Sequence, residues 1–293
     1  MEIIIGILIV IVIGIAYLIF ENKNLAITNY IIEQERVPKA FDGMRFVCLT
    51  DLHNNRFGKD NKRLLAHIHS YKPDVILIAG DMIVARETKK LNTALSLLKE
   101  LSNHYPVYYS PGNHELKLEM WELNRPKNSE DNCFITYLSE IKKCGVSYLD
   151  NDSITIEKGK DRLQITGLNL PLMFFYKGGK PVPFDKRDMS ELVGTASNQA
   201  YQILLAHMPN YFETYAEWGA DFVLSGHVHG GIMRIPYLGG VISPQYEIFP
   251  KYDSGIFTHK KSIMLLSRGL GTHTIPVRLL NRPELICMEL KKK

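Results

Sequence analysis

RFVCLTDLH (residues 45–53) is a run of apolar residues that stops at an aspartate and, two positions later, a histidine. Two further apolar runs also end in acidic, amide or imidazole side chains: VILIAGD (75–81) and VYYSPGNHE (107–115). Between the three runs, residues 61–70 and 89–101 repeat apolar side chains at helical spacing. Because short apolar strands alternate with helices, we predict parallel strands joined by crossover helices.

The second half of the chain is richer in strands. Residues 153–157 and 162–166 flank a Lys-Gly-Lys-Asp turn, a pattern typical of a hairpin. Four more strands are predicted at residues 201–206, 222–224, 262–266 and 285–289. The predicted fold class is therefore α/β, with two mixed β-sheets packed face to face and helices flanking them.

The N-terminal segment has a different character. Ile3 to Phe20 is a stretch of 18 residues without a charge, and such a helix is roughly 27 Å long, close to the hydrocarbon thickness of a bilayer. A cleaved signal peptide would need a basic start and a cleavage site of small residues, and the sequence has neither. We predict an uncleaved transmembrane anchor over residues 1–22, with a buried core helix as the alternative.

The remaining chain divides into a connecting segment with the first strand, residues 23–44, and one globular domain, residues 45–293. The positive charges near the anchor all follow it: Lys23, Arg36 and Lys39. By the positive-inside rule this distribution favours a single-pass protein of the cell membrane with its domain on the cytoplasmic side.

Composition narrows the class of protein. The formal net charge of +4 is spread along the chain, so the concentrated basic stripe of a nucleic-acid-binding protein is missing and no nucleic-acid partner is expected. The four cysteines lie far apart without a C-x-x-C pair, which argues against a disulfide framework or a zinc ribbon. The sequence does not predict an oligomeric state.

The strand ends carry side chains that bind metals through nitrogen or oxygen: Asp51, His53, Asp81, Asn113, His207, His227 and His229. In α/β sheets the carboxyl ends of the strands meet at one crevice. The Asp-x-His and His-x-His pairs are each two residues apart, which places both members on one side of an extended segment. This donor set suits Mn, Zn, Fe or Ni, and seven ligands suit two ions that share a carboxylate. Taken singly, the same residues are typical of turns, helix caps and structural histidines.

Five blocks, in this order, resemble the signature of calcineurin-like metallophosphoesterases: Asp51-x-His53, Gly80-Asp81, Gly112-Asn113-His114-Glu115, His207 and Gly226-His227-x-His229. The resemblance covers about residues 45–229 and implies an αββα sandwich. The Gly-His-x-His-Gly-Gly variant and the segments at residues 267–271 and 276–284 are similar to membrane-anchored bacterial phosphoesterases, including UDP-2,3-diacylglucosamine pyrophosphatases.

The resemblance implies a role for each matching residue. A first divalent ion would be held by Asp51, His53, Asp81 and His229. A second would be held by Asp81 as the bridging ligand, with Asn113, His207 and His227. A hydroxide that bridges the two ions would attack phosphorus. His114 would meet the leaving oxygen, either as a general acid or as a cation that stabilises the transition state.

Other residues are weaker candidates for contact with substrate: Asn54, Arg56, Arg268, His273 and Arg278. For the loop that contains Asn54 and Arg56, ordinary solvation is the alternative. The aromatic stretch at residues 172–180 would either rest on lipid and gate an amphipathic substrate or form a buried segment. We also expect Gly230 and Gly231 to leave room for a substrate phosphate.

Together these features predict a membrane-anchored, dinuclear metal-dependent phosphoesterase that hydrolyses a phosphodiester or pyrophosphate bond. The anchor favours a lipid-linked or cell-envelope substrate. Two alternatives remain open at this point: a nuclease or cyclic-nucleotide phosphodiesterase that uses the same site, and a metal-binding but inactive membrane scaffold.

Overall fold

The computed structural model describes residues 1–124, 132–175, 182–243, 246–272 and 277–293. Its helices are α1 (Glu2–Lys23), α2 (Lys62–Tyr71), α3 (Leu91–Ser102), α4 (Asn113–Leu123), α5 (Cys133–Lys143), α6 (Lys186–Val193) and α7 (Phe212–Trp218). Its strands are β1 (Ala26–Gln34), β2 (Arg45–Leu49), β3 (Val75–Ala79), β4 (Val107–Ser110), β5 (Ser147–Tyr148), β6 (Asp152–Lys158), β7 (Asp161–Leu168), β8 (Tyr201–Ala206), β9 (Phe222–Ser225), β10 (Arg234–Ile235), β11 (Gly239–Gly240), β12 (Gly255–His259), β13 (Ser262–Leu266) and β14 (Glu284–Lys292).

Twelve of these strands form two six-stranded sheets, and β10 and β11 form a separate ribbon. The first sheet has the order β1-β14-β2-β3-β4-β5, in which β14 and β2 are antiparallel and the other neighbours are parallel. The second has the order β12-β13-β9-β8-β7-β6, with antiparallel pairs at its two edges. Both sheets are therefore mixed, as predicted.

The sheets pack face to face because their central strands are apolar on both faces. In β2, Phe46 and Cys48 face the core between the two sheets, together with Leu205 of β8. Val47 and Leu49 alternate to the opposite face and pack beneath α2 and α3. A third core lies between the second sheet and helices α6 and α7. The four layers confirm the predicted fold class.

The N-terminal helix α1 is long and apolar enough to cross a membrane, judged by length and composition, with a mean hydropathy of 3.3 in its most apolar window. None of that window is buried against the protein, which distinguishes α1 from a buried core helix. Glu21, near its C-terminal end, is buried and accepts a hydrogen bond from the backbone N–H of Leu280 at 3.0 Å. β1 follows and pairs in parallel with β14, so the segment after α1 completes the first sheet.

Candidate metal centre

The seven candidate ligands lie where the strands of both sheets end. Asp51 and His53 follow β2, Asp81 follows β3, and Asn113 begins α4 directly after β4. His207 follows β8, and the pair His227 and His229 follows β9. All seven are buried. The carboxyl ends of β2, β3 and β4 in one sheet and of β8 and β9 in the other therefore bring their side chains together.

The ligands form two groups of three in which the nitrogen and oxygen atoms lie within 4.8 Å of one another: Asp51, His53 and His229, and Asp81, His207 and His227. The groups are adjacent. His53 Nε2 lies 3.5 Å from Asp81 Oδ2, and His207 Nε2 lies 3.7 Å from Asp51 Oδ1. Asn113 Oδ1 is buried among the described residues without a hydrogen-bond partner. A buried oxygen acceptor beside imidazole and carboxylate donors fits a divalent cation.

The backbone at the Asp-x-His and His-x-His pairs is left-handed and not extended, which corrects the sequence prediction for these pairs. The φ angles are +50° at Asp51, +49° at His53, +55° at Asp81, +74° at His227 and +53° at His229. In both pairs the backbone adopts left-handed conformations directly after the strand. The turn, and not the alternation of a strand, therefore sets the direction of the two side chains of each pair. Such conformations are uncommon for residues other than glycine and cluster at functional sites.

Burial and opposite charges set the protonation of these groups. Burial alone would raise the pKa of Asp51 and of Asp81, but the neighbouring histidines hold both pKa values below the usual range. Burial alone would lower the pKa of His53, but hydrogen bonds to Asp51 and Asp81 raise it to about 9. The charges of Asp81 and Asp51 likewise overcome burial and raise the pKa of His207 to about 10. In the metal-free site, His53 and His207 therefore carry protons on nitrogens that would otherwise be free to bind cations.

Two histidines are oriented by backbone carbonyls. His207 Nδ1 lies 2.7 Å from the carbonyl oxygen of Ala79, and His229 Nδ1 lies 3.3 Å from that of Gly271. A ring N–H that donates to a carbonyl fixes the tautomer and leaves Nε2 as the lone-pair donor. Nε2 is the atom that each ring presents to the carboxylates.

His114 lies beside the ligand groups and is oriented by its own hydrogen bonds. Its ring centroid is 4.8 Å from that of His53. Its backbone N–H donates to Asp81 Oδ1 at 2.8 Å, and its Nδ1 accepts from the backbone N–H of Ala85 at 3.1 Å. Because Nδ1 is an acceptor, the neutral ring carries its proton on Nε2, where it can be given to a leaving group.

Glu115 ends the Gly-Asn-His-Glu block and belongs to the site, although the sequence predicted no role for it. Its buried carboxylate accepts hydrogen bonds from five donors: the backbone N–H groups of Asp81, Met82, Ile83 and Gly112, and the hydroxyl of Tyr109. It therefore joins the turn after β3 to the turn after β4. The only sequence signal of this role was the position of the glutamate, three residues after the glycine in the Gly-Asn-His-Glu start of a helix.

Two glycines are required by space rather than by chain flexibility. A Cβ at Gly226 would lie 2.3 Å from Asp51 Oδ2, and one at Gly112 would lie 2.4 Å from Asp81 Oδ1. The expectation that Gly230 leaves room for a phosphate was wrong. A Cβ there would lie 2.7 Å from Arg268 Cγ and from Asn281 Oδ1, so protein side chains already fill the space.

The structure places the weaker substrate candidates in different settings. Asn54 is buried next to His53, and both its side-chain polar atoms lack hydrogen-bond partners among the described residues. Arg56 donates to Thr93 Oγ1 at 3.0 Å, and Arg268 pairs with Glu284 at 3.0 Å. Substrate contact by these three residues stays a prediction.

The last two candidates are Arg278 and His273. Arg278 is buried and donates to the carbonyl oxygens of Arg268, Gly269, Gly271 and Asn281. These bonds hold the loop whose Gly271 carbonyl contacts His229. His273 lies outside the described residues.

Phe175 is a further residue beside the candidate ligands, and it belongs to the aromatic stretch at residues 172–180. Its ring centroid lies 5.3 Å from that of His227 and 6.1 Å from that of His207, so it forms an apolar wall beside one ligand group. Its neighbour Phe174 is buried against Phe184 and Tyr211. Of the stretch predicted as a lipid contact or a buried segment, Phe174 thus belongs to the core, and residues 176–180 lie outside the described residues.

Comparisons with known proteins agree with this geometry. The family model for calcineurin-like phosphoesterases matches residues 44–231, more than half of the chain. The uncharacterized metallophosphoesterase YkuE of Bacillus subtilis is 26% identical over 92% of this chain and 87% of its own length. The phosphodiesterase YaeI of Escherichia coli is 26% identical over 84% of this chain and 82% of its own. A zebrafish (Danio rerio) protein named as a transmembrane protein with a metallophosphoesterase domain is 23% identical, over 88% of this chain and 55% of that protein.

The family match covers the strand ends at which the candidate ligands lie. The family match begins just before β2 and ends two residues after His229. The chain therefore belongs to the calcineurin-like phosphoesterase family and is a metal-dependent phosphoester hydrolase.

Proposed function

We propose that the chain is a membrane-anchored phosphoesterase that uses two divalent ions to hydrolyse a phosphodiester or pyrophosphate bond in a lipid-linked or cell-envelope substrate. The observation that carries the dinuclear part is the pair of adjacent ligand groups, each with one carboxylate and two imidazoles. Each group contains only three of the seven candidate ligands, so a single ion at one group would leave the other ligands unused. Asp81 Oδ2 lies 3.5 Å from His53 Nε2 of the other group, which supports the bridging role that the family resemblance implies for Asp81.

When bound, two such ions would polarise the phosphoryl oxygens and make water nucleophilic near neutral pH. The protein's own residues then have separate tasks. Asp51 and Asp81 supply negative charge, and the imidazoles supply neutral nitrogen ligands once their protons are lost. His114 is held by Ala85 with its proton on Nε2 and donates it to the leaving oxygen. Phe175 limits access of water on the side of His207 and His227.

The membrane part of the proposal rests on α1. The helix has the length and hydropathy of a membrane span and is not buried by the domain. An enzyme confined in this way meets substrates at or near a bilayer. A phosphodiester or pyrophosphate-linked lipid is therefore favoured over a freely diffusing nucleotide, consistent with the resemblance to UDP-2,3-diacylglucosamine pyrophosphatases.

The experiment is a substrate panel with purified full-length protein in lipid nanodiscs. It compares monoesters, a soluble phosphodiester, cyclic nucleotides, DNA and pyrophosphate-linked lipids, each with Mn, Zn, Fe or Ni. We expect hydrolysis of diester or pyrophosphate bonds and two metal ions per chain. Preference for DNA or cyclic nucleotides would instead support the nuclease or cyclic-nucleotide alternative. Two bound metals without hydrolysis of any ester would support the inactive scaffold.

A further inference from the structure

Exposed apolar side chains collect on one surface of the domain outside the metal centre. We call this surface the anchor-side apolar patch, and it consists of Met233, Ile235, Tyr237, Leu238, Phe249 and Leu280. Tyr237 is fully exposed, and the exposed fractions of Leu238 and Phe249 are 67% and 54%. Most of these residues line a groove of about 510 Å³ that begins at the β10–β11 ribbon. Charged Arg234, Lys251 and Asp253 line the same groove, so the surface is amphipathic. Exposed aromatic and aliphatic side chains beside charged ones are typical of a contact with the interface of a bilayer.

The patch is joined to the anchor by a direct hydrogen bond. The backbone N–H of Leu280 donates to Glu21 Oε2 at 3.0 Å, and Glu21 is in the last turn of α1. The carbonyl of Lys23 also accepts from Arg63 at 3.4 Å, so the end of α1 is held at two points. A 22-residue helix is roughly 33 Å long, about the thickness of a bilayer core. The residue bonded to Glu21 therefore lies at the level where the helix leaves the lipid.

The patch is also joined to the metal centre. Asn281, the neighbour of Leu280, donates through Nδ2 to the carbonyl oxygen of His229 at 2.8 Å. Arg234, which lines the groove, donates to the carbonyl oxygen of Gly230 at 3.0 Å. One short segment thus contacts the anchor with one residue and the backbone of a metal ligand with the next.

We propose that the anchor-side apolar patch inserts into the interface of the bilayer that α1 spans, which orients the metal centre toward lipid headgroups. The proposal rests on the membrane anchoring in the proposed function and gives that anchoring a second contact. Tyrosine, phenylalanine and leucine are the residues that enter this zone, since their side chains are apolar and tyrosine keeps a polar tip in water. Exposed Lys23, Arg63 and Arg282 beside the end of α1 carry the charge that anionic headgroups attract.

Brominated-lipid quenching of tryptophan fluorescence tests the insertion. Full-length protein with Leu238→Trp is reconstituted into phosphatidylcholine vesicles, with and without bromines on the acyl chains. Ile135→Trp is the matched control. Ile135 is 58% exposed, and its helix α5 packs near β5, at the sheet edge opposite β1. The fluorescence of the native Trp121 and Trp218 is measured on the unsubstituted protein and subtracted.

We expect brominated lipid to quench the added fluorescence of Leu238→Trp and to leave that of Ile135→Trp unchanged. Equal quenching of both, or quenching of neither, overturns the proposal. Flotation with the vesicles separates its failure from that of the anchor. Protein that floats without quenching refutes only the patch, whereas protein that does not float refutes the anchoring and the patch together.

Kinetics provide a second readout. A Leu238→Ser and Phe249→Ser double variant in vesicles should lose activity toward a membrane-embedded phosphodiester lipid by about 10-fold, because a domain without its second contact spends less time facing the lipid. Hydrolysis of soluble bis(p-nitrophenyl) phosphate should be unchanged, since neither residue touches a metal ligand. Equal activity of the variant and the unchanged protein on the lipid, or an equal loss on both substrates, counts against the proposal.

Discussion

The carboxylate of Glu115 accepts a hydrogen bond from the backbone N–H of Asp81 at 2.9 Å and so fixes the residue whose Oδ2 lies 3.5 Å from His53 Nε2. The other carboxylate oxygen accepts a hydrogen bond from the backbone N–H of Met82 at 2.9 Å. The backbone N–H of Gly112, in the turn after β4, donates to the same carboxylate. One buried side chain thus holds together the ends of two parallel strands. The backbone of Asp81, a proposed metal ligand, is thus positioned by a residue outside the two proposed ligand groups.

Replacement of Glu115 by glutamine should therefore loosen the turn that carries Asp81. The amide keeps one acceptor oxygen but faces its NH2 toward backbone N–H donors. Buried donors without acceptors cost about 1–3 kcal/mol in free energy of unfolding. Urea denaturation measures that loss, and metal content should fall in parallel. Tyr109→Phe is the control, since it removes a single donor from the same carboxylate and should cost less. A Glu115→Gln protein as stable as the parent would contradict this role.

Asp81→Asn should remove the ligand that joins the two groups. The amide is neutral, so the charge that attracts two cations is reduced and a bridging carboxylate is no longer available. We expect bound metal to fall below two ions per chain and hydrolysis to fall by at least about 100-fold. Metal analysis after gel filtration and initial rates measure both. Full activity with full metal content would show that Asp81 does not bridge.

His114→Gln should separate chemistry from metal binding. The residue lies next to His53 and within ligand distance of His53 and Asp81, yet the family resemblance implies a role in proton transfer for it and not a role as a metal ligand. Loss of a general acid typically lowers the rate by about 10²–10⁴-fold. We therefore expect kcat to fall in this range while the metal content stays at the parental value. A substrate with a good leaving group such as p-nitrophenolate should lose less, because it needs little protonation. Equal losses on good and poor leaving groups would exclude the role of proton donor.

The sequence predicted the strands and the gathering of the candidate ligands at strand ends, because both depend on local pattern. The apolar runs of β2 and β3 are buried on both faces, so each stands out from its neighbours without knowledge of the fold. Asp51 and Asp81 then follow at strand ends, where a parallel sheet brings them together. Nothing beyond strand order was needed to place these two side chains near each other.

What the sequence did not predict depends on contacts between distant residues. The parallel pairing of β1 with β14 joins Ala26 to Glu284, and no local pattern specifies that partner. The left-handed φ at His53 and His229 follows from the fit of both turns to the site and overrides the preference of these residue types. The contact of Glu21 with Leu280 is of the same kind.

Metal binding should release protons and strengthen as pH rises. In the folded, metal-free protein, interactions with Asp51 and Asp81 raise the pKa of His53 to about 9 and that of His207 to about 10. Both values are above the ordinary 6.5. The stabilisation from these protonated histidines is complete below pH 6.5 and is lost as the pH rises through about 9 to 10. Metal ions need the neutral rings and compete with the protons.

Calorimetry in buffers of different ionisation enthalpy measures the protons released. We expect net release at pH 7.5, metal affinity that increases toward pH 9, and metal-free protein whose thermal stability declines over the same interval. His67 is a useful internal control, since it is exposed on α2 and belongs to none of the metal-capable groups of the described residues, and His67→Gln should leave proton release unchanged. Metal binding without proton release at pH 7.5 would contradict the protonation of His53 and His207.

Arg278→Met should act on the position of His229 and on stability rather than on substrate affinity. The methionine has similar length but donates no hydrogen bond, so the buried carbonyls of the loop at residues 268–271 lose their shared donor. The Arg268 carbonyl then loses the donor it has in Arg278, at a cost of about 1–3 kcal/mol. The Gly269 and Gly271 carbonyls keep donors in the backbone N–H of Glu284 and in His229 Nδ1, but the loop that holds the Gly271 carbonyl against His229 is less firmly fixed. We expect a lower melting temperature and weaker metal binding, with KM for a soluble diester unchanged once excess metal restores occupancy. Arg268→Met, which removes an ion pair to Glu284 instead, is the comparison. A raised KM in metal-saturated Arg278→Met protein would return Arg278 to the role of a substrate contact.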